Sequence, residues 1–195
     1  DVVLEICSAS LRRFLRESGA LPAESLTAGL PVSFRPQGDT KLGTAISFII
    51  ANLGTDLADP IARLKHIHNS TIAAKAHLNS LPRPALDGYT TLFMAPYLLG
   101  LLSGIAGHSR PMFSLAISNV PGPKKPLYFA GAKLEAIYPV SVLAHGQALN
   151  ITCVSYAGEL NFGFTGCRDI LPHMQRLAVY TGDALDELDE ATAAL

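Results

Sequence analysis

Charge is scarce in this sequence. Only 16% of its 195 residues are Asp, Glu, Lys or Arg, while 49% are hydrophobic. An ordinary domain carries roughly 25% charged residues. This composition excludes intrinsic disorder. It also leaves more apolar surface than a small domain easily hides, so the excess is expected to face a partner, another domain or lipid. Charge of one sign is lacking too: 15 basic residues against 16 acidic ones give a net charge of −1. With no basic stripe, electrostatic recruitment of nucleic acid is excluded, as is cationic attachment to an anionic membrane.

Cysteine is rare. Cys7, Cys153 and Cys167 are widely spaced, and no CxxC occurs. That excludes a disulfide framework and a zinc site built on cysteine, and fits buried thiols in a reducing, cytoplasmic compartment. GxxxxGK[ST], GxSxG and HExxH are all missing, and with them the phosphate loop, the serine-hydrolase elbow and the zinc-protease helix. His66 and His68 lie two apart, so a helix points them in different directions. His77 is a further helical run away, about 16 Å from His66. No metal and no cofactor is expected. His108 and His173 sit beside turn signals, and His145 precedes Gly146 at a strand junction.

At this length the chain is one domain or two small ones, able to bury a core without staples. It opens at Asp1 inside a helical pattern, as expected of the C-terminal piece of a longer polypeptide. Residues 1–18 read as a helix with Val3, Cys7, Leu11 and Phe14 on one face and Gly19 as its cap. Leu26–Phe34 and Thr44–Leu53 read as strands around a loop at 35–43. Asp59-Pro60 reads as an N-cap and first helical position, opening a helix to about Asn79. Thr90–Gly107 is charge-free over a length that touches the membrane-span threshold. Pro96, Gly100, Gly104 and Gly107 weaken that reading, which leaves a core or tunnel-wall helix or a lipid-contacting one.

Met112–Ser118 reads as a strand, Asn119–Pro126 as a loop and Leu127–Pro139 as another strand. Asn150–Tyr156 and Glu159–Thr165 form a hairpin around Ala157-Gly158. A two-residue turn opposes Tyr156 to Glu159, Cys153 to Phe162 and Ile151 to Phe164. Ile151, Cys153, Leu160, Phe162 and Phe164 should then be core, with Asn150, Thr152, Asn161 and Thr165 on the other face. A last helix is expected from Asp169, with Leu171, Met174, Leu177, Thr181, Leu185 and Leu188 as its apolar stripe. The expected class is α/β, in α+β-like layers: a mixed sheet flanked by helices, not a doubly wound one.

Several segments together carry a resemblance. They are Asp1-Val2-Val3-Leu4, Pro31-Val32-Ser33-Phe34-Arg35, Thr55-Asp56-Leu57-Ala58-Asp59-Pro60, Ser118-Asn119-Val120-Pro121-Gly122-Pro123, Leu127-Tyr128-Phe129-Ala130-Gly131-Ala132 and Tyr138-Pro139-Val140-Ser141. Leu149-Asn150-Ile151-Thr152, with Gly146, Ser155-Tyr156 and Gly158, completes them. The chain resembles the C-terminal half of the bacterial wax ester synthase/diacylglycerol acyltransferase family over nearly its whole length. The Ser-Asn-Val-Pro-Gly-Pro run is the most specific element.

The resemblance implies one half of a chloramphenicol-acetyltransferase-like, CoA-dependent acyltransferase fold, with two similar halves packed across a tunnel. The family's base lies in an HHxxxDG motif of the N-terminal half, and that motif is absent here, so no catalytic base is expected in this chain. The implied substrates are acyl-CoA and a long-chain alcohol or diacylglycerol; the implied partner is the N-terminal half. Peripheral contact with the inner membrane or a lipid inclusion is implied as well.

Ser118 and Asn119 are candidates for oxyanion or substrate positioning, or else cap the strand. Asp1 either supports the other half's motif or caps its helix. Asn150, Thr152, Tyr97, Leu98 and Leu101 are tunnel candidates; for Asn150 and Thr152 the alternative is ordinary solvent exposure. Lys124 and Lys125 either meet CoA phosphates or are simply solvated. A non-catalytic lipid-binding or protein-interaction module of the same fold is the alternative to half of an enzyme.

Overall fold

The computed structural model describes residues 1–33, 46–80, 82–103, 111–143 and 146–194. The loop at 35–43, Gly104–Gly107, His108 and His145 lie outside the described residues. The elements are α1 (Val2–Glu17), β1 (Thr27–Ser33), β2 (Ile46–Asn52), α2 (Pro60–Asn79), α3 (Arg83–Leu102), β3 (Leu115–Val120), β4 (Tyr128–Phe129), β5 (Ala132–Lys133), β6 (Leu149–Tyr156), β7 (Glu159–Gly166) and α4 (Arg176–Ala193).

Five strands form one mixed sheet in the order β2-β1-β3-β6-β7. The inner pairs β1–β3 and β3–β6 are parallel. The outer pairs β1–β2 and β6–β7 are antiparallel. The expected hairpin register holds: Tyr156 pairs Glu159, Cys153 pairs Phe162 and Ile151 pairs Phe164. Ala157 and Gly158 both have positive φ (50° and 95°), as a two-residue type I′ turn requires.

Helices α1, α2 and α4 cover one face of the sheet. Leu4, Cys7, Leu11 and Phe14 of α1, Ile67 of α2, and Leu177 and Tyr180 of α4 pack on Ala28, Leu115, Ile117, Leu149 and Ile151. Helix α1 ends in a Schellman motif: Gly19 (φ +66°) donates to the Arg16 carbonyl and Ala20 to that of Leu15. Helix α2 begins where expected, with the Asp59 carboxylate accepting from the Ala62 N–H at 2.7 Å and Pro60 following it. Beneath α1 and α2 lies a buried ion pair. Arg63 Nε and Nη2 both donate to Glu5 Oε1, at 2.9 and 2.6 Å, and Arg63 Nη1 donates to the carbonyls of Leu57 and Ala58. Burial pushes the Glu5 carboxyl above its usual range, and the Arg63 guanidinium pulls it part of the way back.

Several expectations are corrected. Strand β3 runs on to Val120, so the loop starts at Pro121 rather than Asn119. Pairing with β6 continues through Val120–Val154, and Pro121 ends it because it has no N–H. Residues 127–139 are not one strand. Ala130 and Gly131 (φ 48° and 83°) turn the chain into the small β4–β5 hairpin. Helix α4 starts at Arg176, not Asp169, because His173 sits at φ +63°; Leu171 and Met174 still pack on the core from the preceding turns. Along α4 the buried stripe is Leu177, Tyr180, Thr181, Ala184 and Leu188, and Leu185 points outward. Leu160 is exposed at the hairpin's far end.

Helix α3 begins earlier than Thr90, with Pro84 tolerated in its first turn. No described helix is long and apolar enough to cross a membrane. All three cysteines are free; Cys7 and Cys153 are buried, whereas Cys167 is only half-buried. The adjacent Cys153 sulfur and burial hold the Cys7 thiol well above the ordinary range, so it is no nucleophile at neutral pH.

Candidate functional site

The second face of the sheet carries no covering helix from the α1–α2–α4 layer. It is the face where Ser118, Thr152 and Gly163 lie side by side in register. Over β6 and β7 it is covered instead by the extended segment 134–143. Ser141 Oγ meets Thr152 Oγ1 at 2.7 Å, Thr152 Oγ1 donates to Asn150 Oδ1 at 2.9 Å, and the Ser141 N–H donates to Thr165 Oγ1 at 3.3 Å. Asn150 is therefore half-buried and Thr152 buried, against the alternative of plain solvent exposure. Asn161 is buried on the same face, with an Nδ2 that has no partner among the described residues.

Glycine makes that closure possible. A Cβ on Gly163 would stand 1.8 Å from the Pro139 carbonyl oxygen. Gly163→Ala should therefore lift the covering segment and lower stability by about 2 kcal/mol or more. In thermal melts the control is Gly182→Ala on α4, where a Cβ meets nothing within 4 Å. Equal melting temperatures for the two variants would show that the segment does not rest on β7.

The Ser118-to-Pro123 run is held by the same logic. Its Gly122 N–H donates to Ser155 Oγ at 3.0 Å, and a Cβ there would lie 2.1 Å from the Ser155 carbonyl oxygen. The Ala157 N–H donates to the Pro123 carbonyl at 2.9 Å. Tyr156 Oη accepts from the Leu127 N–H and donates to the Leu134 carbonyl, at 2.8 and 2.7 Å, which fixes the base of the β4–β5 hairpin. These bonds hold the end of β3 rigidly without using its side chains. Ser118 is half-buried and Asn119 exposed, and neither side chain hydrogen-bonds any described residue. As neighbours on one strand they point to opposite faces: Ser118 lies on the open face beside Thr152, and Asn119 on the other, opposite Cys153.

This arrangement has a known counterpart. A family model, the WS/DGAT C-terminal domain, matches residues 42–189. The chain belongs to this family. It is 54% identical over its whole length to a protein of Mycobacterium tuberculosis named a diacylglycerol O-acyltransferase, and covers 40% of it. A Mycobacterium bovis protein of the same name is 45% identical over the whole chain, which covers 43% of it.

Among solved structures, the wax ester synthase/diacylglycerol acyltransferase of Marinobacter aquaeolei VT8 superposes with a TM-score of 0.85 at 39% identity, over all of this chain and 44% of that one. An epimerization domain of tyrocidine synthetase B matches at a TM-score of 0.52 and 15% identity, covering 99% of this chain and 42% of that one. It shows the fold alone. The WS/DGAT C-terminal domain described here thus spans about two fifths of the length of these relatives.

The other candidates fall in different places. Asp1 does not cap α1. Its carboxylate accepts from Thr71 Oγ1 at 2.9 Å and meets His68 Nδ1 at 2.7 Å, tying α1 to α2. Neither partner was legible, because nothing in sequence links position 1 to positions 68 and 71. Leu98 of α3 is half-exposed; the side chains of Tyr97 and Leu101 lie outside the described residues. Lys124 and Lys125 are exposed in the loop after Pro123. A cavity of about 780 Å³ opens at the other end of the strands, lined by Thr27, Asn52, Asp56, His66 and Ser114 among others, and includes neither Ser118 nor Asn119. Among the described residues no cluster of His, Cys, Asp and Glu is placed to hold a metal.

Proposed function

We propose that this chain is the C-terminal half of an acyl-CoA-dependent O-acyltransferase that makes wax ester or triacylglycerol. The observation that supports this most directly is the rigidly held end of β3 in a WS/DGAT C-terminal domain, which presents Ser118 and Asn119 with no hydrogen bond from either side chain to a described residue. Transfer of an acyl group from a thioester passes through a tetrahedral oxyanion, which needs such donors. A histidine of the other half takes the proton from the alcohol or diacylglycerol hydroxyl. The oxygen attacks the thioester carbon, the C–O bond forms, the C–S bond breaks, and the CoA thiolate leaves with the proton.

Asn150 and Thr152 then belong to the wall of the acyl tunnel, together with the segment they hold, and α3 adds Tyr97, Leu98 and Leu101. The partner half docks on the apolar segment after β3, where Phe129, Val140 and Val142 stand 86%, 87% and 91% exposed. The whole enzyme works in the cytoplasm, against a membrane or lipid inclusion.

The test is product analysis. The polypeptide comprising this chain and the half that precedes it is given labelled palmitoyl-CoA with hexadecanol or dioleoylglycerol. Label in wax ester or triacylglycerol supports the reading. Acyl-CoA binding with no transfer to either acceptor would replace it with the non-catalytic lipid-binding module.

A further inference from the structure

The ring of Phe113 stands between the candidate site and the large cavity at the other end of the strands. Ala28 packs in the core under the helices, so Gly29, its neighbour on β1, faces the open side of the sheet. There the Phe113 ring lies directly on it: a Cβ on Gly29 would meet three atoms of that ring at 2.9 Å. Only glycine leaves the ring this seat. Phe113 is buried, although it lies in the loop that precedes β3.

Strand register orders what lies on either side. Gly29 pairs with Ala116, and Ser118 follows two residues further along the same face of β3, about 7 Å away. In the opposite direction come Thr27 and Ser114, joined by a hydrogen bond from the Ser114 N–H to the Thr27 carbonyl at 2.9 Å. Thr27, Met112 and Ser114 line the cavity of about 780 Å³, together with Asn52, Asp56 and His66. Its lining is mostly polar side chains, and a polar cavity of that size holds about two dozen waters. Cavity, ring and Ser118 thus follow one another along β1 and β3.

Water beside Ser118 would divert the reaction proposed above. A base that takes a proton from an alcohol also takes one from water, and donors that hold the oxyanion do not distinguish the two attackers. The water oxygen would bond to the thioester carbon, the C–S bond would break, and the CoA thiolate would leave with the proton. The product would be a free fatty acid instead of an ester. Excluding water is therefore part of transfer.

We infer that Phe113, seated on Gly29, is the seal that keeps the water of this cavity from the acyl group and so decides transfer against hydrolysis. The inference rests on the acyltransferase reading and adds a determinant of its product.

The experiment gives the polypeptide comprising this chain and its preceding half labelled palmitoyl-CoA with hexadecanol or dioleoylglycerol. It reads the ratio of labelled palmitate to labelled ester. Phe113→Ala should raise that ratio about tenfold or more, and so should Gly29→Ala, which displaces the ring without removing it. Phe113→Leu keeps an apolar plug and should stay within about threefold of the parent. A merely structural role would lower the melting temperature and both products together, leaving the ratio unchanged. The inference is overturned if the folded Gly29→Ala and Phe113→Ala variants keep the parent's ratio, or if the parent itself releases mainly palmitate. A parent that forms neither product counts against the proposed function instead. The seal is then read from Ala116→Cys in a Cys167→Ser background, labelled with a charged methanethiosulfonate that an apolar tunnel excludes. Labelling about tenfold faster with Phe113→Ala supports the seal, and equal labelling overturns it.

Discussion

Arg63→Met is expected to cost about 3–5 kcal/mol, because it leaves the Glu5 carboxyl buried without its cation. Both residues are almost wholly inaccessible, 0% and 2% exposed on their side chains. Glu5 Oε2 already lacks a partner among the described residues, and Arg63 supplies both hydrogen bonds to Oε1. Burial then acts unopposed on a carboxyl it already pushes upward, and the group takes up a proton. In a domain of this size the loss corresponds to a drop of about 10 °C in melting temperature. Glu5→Leu/Arg63→Met removes both charges and should recover most of it. Unchanged melting of the single variant would mean that the pair is not sealed between α1 and α2.

Asn119→Ala should slow turnover about 100-fold in the polypeptide that carries both halves, as loss of one oxyanion donor does elsewhere. KM should move little, because the interaction forms only in the transition state. Asn119 is exposed and its side chain bonds to no described residue, so stability should stay within about 0.5 kcal/mol. Unchanged kcat would remove Asn119 from the chemistry, and a fall in melting temperature with intact kcat would make it a packing residue.

Much of the frame was legible in sequence, and the reason is local geometry. A two-residue turn at Ala157-Gly158 sets the whole β6–β7 register. Asp59-Pro60 marks a helix start that needs no tertiary help. What escaped depends on distant contacts. Residues 127–139 read as one strand, yet Ala130-Gly131 folds the chain back, and Tyr156, Thr152 and Thr165 hold it and the residues that follow. Helix α4 starts late because a positive φ at His173 interrupts a pattern that periodicity alone would continue.

The candidate site was partly legible. Ser118 and Asn119 stood out through the resemblance, but the role of Gly122 against the Ser155 carbonyl is visible only once β3 and β6 are adjacent. Asn150 and Thr152 alternated as a polar face, and polarity alone gave no hint that a second segment would bury them.

The most direct measurement is transfer from palmitoyl-CoA to hexadecanol by this chain by itself, and again in the presence of the polypeptide that precedes it. The chain carries no HHxxxDG, and no described cysteine or metal cluster replaces it. Activity only with the preceding polypeptide present is the expected result. Turnover by this chain in isolation would contradict it, and would mean that a base for acyl transfer lies within these 195 residues.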